Sequence, residues 1–73
     1  MEANIIRENI RQALINLRNE RGYTQAELGE LIGIKENTIG AWEQGHSLPS
    51  LVTLYNLSQL YNVPLERLYG INE

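Results

Sequence analysis

An ammonium, a carboxylate and an amide (Lys35, Glu36 and Asn37) stand side by side in the stretch TQAELGELIGIKENTIGAWEQG, residues 24–45 of a 73-residue chain. These groups donate and accept hydrogen bonds, but none is a nucleophile beside a base. The chain has no cysteine, which removes disulfides, thiolate metal sites and thiol catalysis. A single histidine, His46, excludes a multi-histidine metal site. No supported carboxylate pair, phosphate-cradling loop or metal cluster is visible, and a crowded core of this size leaves little room for a pocket. The sequence therefore predicts no enzyme, cofactor, metal or small-molecule substrate. Non-covalent recognition by a surface remains.

The elements that must carry that surface are helical. Glycines and prolines punctuate the chain at Gly22, Gly33, Gly45, Pro49, Pro64 and Gly70, and no segment alternates apolar and polar long enough for a strand. Ile6, Ile10, Leu14 and Leu17 make one stripe on a first helix over about 3–21. Thr24 with Glu27 three residues on is a capping box that starts a second helix, carrying Leu28, Leu31 and Ile32. A third helix spans about 35 or 36 to 44. Lys35 caps it poorly, while Glu36 faces the positive end of its dipole. Ser50 caps a fourth helix over 51–61, with Leu51, Leu54, Leu57 and Tyr61 as its stripe. Pro64 suits the first turn of a short fifth helix over 65–69, closed by Gly70. The prediction is an all-α, five-helix single domain over 1–73.

Stretch 24–45 meets the joint demands of a helix-turn-helix, two helices crossing steeply through a tight turn. Gly29 must be small where the backbone of the third helix passes. Gly33 sits in the turn, where positive φ is wanted. Leu28, Ile32, Ile34, Ile39 and Trp42 supply the apolar positions that hold the pair together.

With these residues the chain resembles the Cro/repressor-type (xenobiotic-response-element) helix-turn-helix domains of phages, plasmids and bacteria. The resemblance runs from about Ile10 to Gly70 and is carried by LRNERGYTQAELGELIGI, TIGAWEQG and PSLVTLYNLSQLYNVPLERLYG. It implies a compact repressor-like fold of five short helices that binds operator DNA, usually as a dimer, with the third helix in the major groove. It implies that Lys35, Glu36, Asn37 and Ala41 face base edges. Gln25, Thr38, Gln44 and His46 would touch the DNA backbone. Arg18 and Glu43 match positions that commonly form a structural ion pair between the first and third helices.

The chain departs from that family where contact with DNA is expected. Relatives often carry serine at 35 and 40, a basic or amide residue at 36 and a basic residue or glutamine at 41; here stand Lys35, Glu36, Gly40 and Ala41. Net charge is −3 and the isoelectric point about 5.1, against non-specific binding through global charge. Four of the six basic residues, Arg7, Arg11, Arg18 and Arg21, lie in the first 21 positions; Arg7 and Arg11 read as surface charges of a solvated helix. Sequence reading remains open to such a face: glutamate accepts from cytosine N4, asparagine pairs with adenine and an alanine methyl touches thymine's methyl. Gly40 in mid-helix costs about 1 kcal/mol relative to alanine, and permits close approach either to DNA or to another helix. Trp42 reads as core, and Tyr55, Tyr61 and Tyr69 as core or interface rather than stacking platforms for bases. Ile5, Ile15, Leu31, Val52 and Tyr55 are apolar where relatives are usually polar.

The expected function is sequence-specific transcriptional regulation from a palindromic operator, through a homodimer and as a repressor, with activation equally compatible. The alternative is a protein-interaction module of the same fold that has lost DNA binding and antagonises or oligomerises with a related repressor. Nothing resembles a signal peptide or membrane span, so the expected location is the bacterial cytoplasm, at the nucleoid.

Overall fold

The computed structural model describes residues 3–69. It contains α1 (Ala3–Arg21), α2 (Gln25–Ile32), α3 (Glu36–Glu43), α4 (Leu51–Tyr61) and α5 (Leu65–Leu68), and no strand among the described residues. The predicted closure by Gly70 lies outside the described residues.

Local chemistry sets these boundaries. The Thr24 hydroxyl accepts from the Glu27 amide at 3.0 Å, while the Glu27 carboxylate accepts from the Thr24 amide at 2.8 Å. Two of the orphan donors that open α2 are thereby satisfied. Ser50 does the same at α4, accepting from the Thr53 amide at 3.1 Å. Lys35 opens α3 with no side-chain cap. Pro64 is the extended residue just before α5 rather than its first helical residue. Asn62 ends α4 in the left-handed region, φ 55°, which a short amide tolerates better than most side chains.

The core is one cluster: Ile10, Leu14 and Leu17 from α1, Leu28 from α2, Ile39 and Trp42 from α3, Leu54, Leu57 and Tyr61 from α4, and Leu68 from α5. α3 packs against α2 and α1, and α5 against α1 and α4. Leu51 corrects the predicted stripe of α4: it is 66% exposed. It is the first residue of the helix, a turn before Leu54, where the helix has not yet reached the core. Ser58 takes a buried place on α4 instead, donating its hydroxyl to the Tyr55 carbonyl at 2.6 Å. Leu31, expected to supply an apolar position on α2, is also exposed.

Candidate nucleic-acid interface

α2 and α3 meet through Gly29, Gly33 and Ile34. Gly33 has φ 72° and nothing near the place of its missing side chain, so conformation alone calls for glycine there. Gly29 is needed for space. A Cβ on it would collide with the Ile34 carbonyl oxygen, whereas the nearest α3 backbone atom, the Glu36 amide nitrogen, would be 3.6 Å away. The crowding neighbour is therefore the turn itself, which folds back because the Ile34 amide donates to the Gly29 carbonyl at 3.0 Å. The sequence expectation placed this contact on α3.

Lys35, Glu36, Asn37 and Thr38 are exposed along the first turn of α3, Ala41 is half-buried one turn on, and Gln44 is exposed at its end. Ile39 and Trp42 point the other way, into the core. His46 is exposed, but its backbone is fixed: its amide donates to the Ala41 carbonyl at 2.9 Å and the Gly45 amide to the Trp42 carbonyl at 3.2 Å. This pair of bonds closes the C-terminus of α3 as a Schellman motif. Lys35 and Glu36 are neighbours of opposite sign, so the exposed first turn carries little net charge.

Behind that surface lies a polar network. Arg18 Nε donates to Glu43 Oε2 at 2.7 Å and its second terminal nitrogen to Oε1 at 2.9 Å, a two-pronged pair between α1 and α3. The side chains are only 14% and 9% exposed. Arg18 also donates to the Tyr23 carbonyl at 2.8 Å, which ties down the start of the α1–α2 connection. Burial pushes the Glu43 carboxyl up, but hydrogen bonds from Arg18 and Gln25, with the Arg18 charge, outweigh it and hold Glu43 below its ordinary value. The Glu43 hydrogen bond raises Arg18 further.

Gln25 belongs to this network. Its amide nitrogen donates to Glu43 Oε1 at 3.0 Å, and a Cβ on Gly40 would sit 3.4 Å from its amide oxygen. The close approach that Gly40 permits is thus to the Gln25 side chain of α2. An amide nitrogen carries two protons, so this bond to Glu43 leaves one for another acceptor.

Arg11 departs from its expected role as a solvated surface charge. It pairs with the Glu8 carboxylate and donates to the Glu43 backbone carbonyl at 3.2 Å, its side chain lying against Gly45. A cation at the end of α3 meets unsatisfied carbonyls and the negative end of the helix dipole. The sequence signal was spacing: Arg11 and Arg18 are seven apart, two helical turns, hence on one face of α1. Tyr61 lies in the core, as its place on the α4 stripe predicts. Its ring is fully buried, Arg21 lies over it at 5.4 Å, and its hydroxyl has no hydrogen-bond partner among the described residues. Burial first, with Tyr23 and Glu43 adding and the two arginines opposing, pushes that hydroxyl up to about 12.

Among known proteins, the family described as Helix-turn-helix matches residues 14–68. The uncharacterized HTH-type transcriptional regulator YgzD of Bacillus subtilis is 32% identical over 57 residues, covering 78% of this chain and 86% of that protein. The HTH-type transcriptional regulator ImmR of Bacillus subtilis is 39% identical over 56 residues, 77% of this chain and 44% of ImmR. The cryptic phage CTXphi transcriptional repressor RstR of Vibrio cholerae is 38% identical over 58 residues, 80% of this chain and 52% of RstR. The chain thus spans about half the length of the last two. No solved structure matches it.

Proposed function

Since this chain belongs to the Cro/repressor-type helix-turn-helix family, we propose that it is a sequence-specific DNA-binding transcriptional regulator that represses from a palindromic operator as a homodimer. The observation that carries this reading is the exposed side of α3. Glu36 and Asn37 stand free of the protein on a helix whose other side is locked into the core. Such a rigid helix with hydrogen-bonding side chains outward suits the major groove, and two copies would reach half-sites about one helical turn apart.

In this reading Lys35, Glu36, Asn37 and Ala41 meet base edges. Glu36 accepts from a cytosine amino group, Asn37 pairs with adenine and the Ala41 methyl meets thymine's methyl. Gln25, anchored by Glu43, turns its remaining amide proton to a phosphate at the positive end of α2. Thr38, Gln44 and His46 meet the backbone on the flanks. Cations for phosphates are few: Arg11 and Arg18 are engaged in ion pairs with carboxylates and Arg21 lies on Tyr61. Each phosphate neutralised steepens the salt dependence of binding, so affinity here depends weakly on salt and specificity rests on the bases.

The test is selection of bound sequences from a randomised double-stranded DNA pool at about 50 mM salt, where phosphate contacts remain strong. Recovery of a palindrome is the expected result. No enrichment by folded protein at high concentration would sink the proposal and favour an interaction module, a reading that the near cancellation of Lys35 by Glu36 supports.

A further inference from the structure

We propose that the apolar face formed by α4 and the turn before it, centred on Leu48, Leu51, Val52 and Tyr55, is where two copies of this chain meet. The inference rests on the homodimeric reading above and names its surface.

Exposure comes first. These four residues are 40%, 66%, 69% and 56% exposed, and they are four of the six large apolar residues left open among the described residues. The other two, Ile5 and Leu31, belong to α1 and α2. Leu51, Val52 and Tyr55 share one side of α4 by helical spacing, and Leu48 stands in the turn before it. Leu54, Leu57, Ser58 and Tyr61 are buried on the opposite side of α4, so that helix is apolar on two sides and its own fold covers one.

Charge selects the occupant. Between Glu43 and Glu66 there is no Asp, Glu, Lys or Arg, so α4 itself carries no charge; at the Leu48 end, Arg7, Glu8 and Arg11 of α1 border the face, and Glu8 is paired with Arg11. Two copies of a chain with net charge −3 repel wherever charged surface meets its like. A two-fold contact sets the same patch against itself, and the charge-free apolar side of α4 is complementary to its own copy. The exposed Leu31 lacks that property, since Glu27 and Glu30 on α2 would bring carboxylates against carboxylates. A strongly acidic or basic partner would gain little from α4, which offers it no charge.

Area is consistent with this occupant. Covering the four side chains removes roughly 400 Å² per copy, about half of the ~800 Å² that a stable interface uses on each partner. They form the apolar centre, and the exposed amides of Asn56 and Gln59 on the same helix provide a polar rim.

The experiment is sedimentation equilibrium of the 73-residue chain, free and on a selected palindrome, for the wild type, Val52→Lys, Val52→Glu, Tyr55→Lys and Leu31→Lys. Circular dichroism reports that each variant is folded. The wild type is expected to dimerise, and each substitution at 52 or 55 to weaken the dimer by about tenfold or more, since a buried valine or tyrosine contact is replaced by a charge against its own copy. Leu31→Lys leaves the dimer intact. An equal mixture of Val52→Lys and Val52→Glu recovers it, because opposite charges then face each other across the axis. If the 52 and 55 variants dimerise like the wild type, the surface is wrong while the homodimer stands. If the wild type stays monomeric up to roughly 1 mM, free and on DNA, the homodimer fails and the surface falls with it.

Discussion

The two sides of α3 divide eight residues between incompatible tasks. The inner side, Ile39, Trp42 and Glu43, is committed: two residues are buried in the core and the third is held by Arg18 and Gln25. The outer side, Glu36, Asn37 and Thr38, makes no side-chain hydrogen bond to any described residue and lies open. The difference separates what holds the helix-turn-helix together from what the helix offers outward. A change on the inner side should register in stability, and one on the outer side in recognition. Each experiment below can break that separation.

Glu43→Ala carries the largest expected effect. It leaves the Arg18 guanidinium largely buried with only the Tyr23 carbonyl as partner and releases Gln25. Breaking one half of such a pair costs about 3 kcal/mol, a large share of the stability of so small a domain. Urea unfolding measures it. A loss below about 1 kcal/mol, within reach of an ordinary surface substitution, would mean that the network is ornamental and that packing alone fixes α3.

Titration strikes the same region more gently, because a protonated Glu43 keeps its packing and can still accept a hydrogen bond. The folded pKa of Glu43 lies below its unfolded value of 4.5, so its contribution is present above that value and fades as pH falls through the folded one. Tyr61 acts at the other end of the scale. Raised from 10.0 to about 12, it contributes fully below pH 10 and loses stability as pH climbs toward 12, where the unfolded chain releases that proton first. Chemical denaturation across pH should show both flanks, and Tyr61→Phe should flatten the alkaline one. An unchanged alkaline flank in that variant would remove Tyr61 as its cause.

The inner side was more legible from sequence than the outer one. Capping boxes, turn glycines and apolar spacing act through neighbours in the chain, so Thr24, Gly33 and the α1 stripe could be read from their own surroundings. Contacts between distant segments were harder. Arg11 looked like a surface charge because the Glu43 carbonyl that it meets is 32 residues away, and a backbone acceptor leaves no trace in residue types. Leu51 looked like core because its spacing fits the stripe; only the packing of α4 shows that the stripe begins a turn later. Residue types at Lys35, Glu36, Asn37 and Ala41 define what α3 can offer, while the bases that would answer them belong to another molecule.

Glu36→Ala with Asn37→Ala tests the outer side. Stability should move by less than about 1 kcal/mol, mainly through loss of the favourable charge at the α3 N-terminus. Binding to a selected operator should weaken by about 1–3 kcal/mol for each base contact removed. Binding isotherms on matched and scrambled DNA read this out. Undiminished affinity with unchanged sequence preference would remove these two residues from recognition.

Gly40→Ala has the smallest expected effect, and its sign is informative because Gly40 lies at the border of the two sides. Glycine inside a helix is less stable than alanine by about 0.5–1 kcal/mol. The new methyl would meet the Gln25 amide at 3.4 Å, the near limit of ordinary contact, and that amide ends a flexible side chain. The substitution should therefore stabilise the protein by somewhat less than the full helical gain. A destabilised variant would show that the bond from Gln25 to Glu43 leaves the amide no freedom to yield, and would extend the committed side of α3 to this position. If stability rises while operator affinity falls, the missing side chain serves the groove, and the open side extends to Gly40 instead. If stability rises and affinity holds, glycine at 40 is needed for neither task.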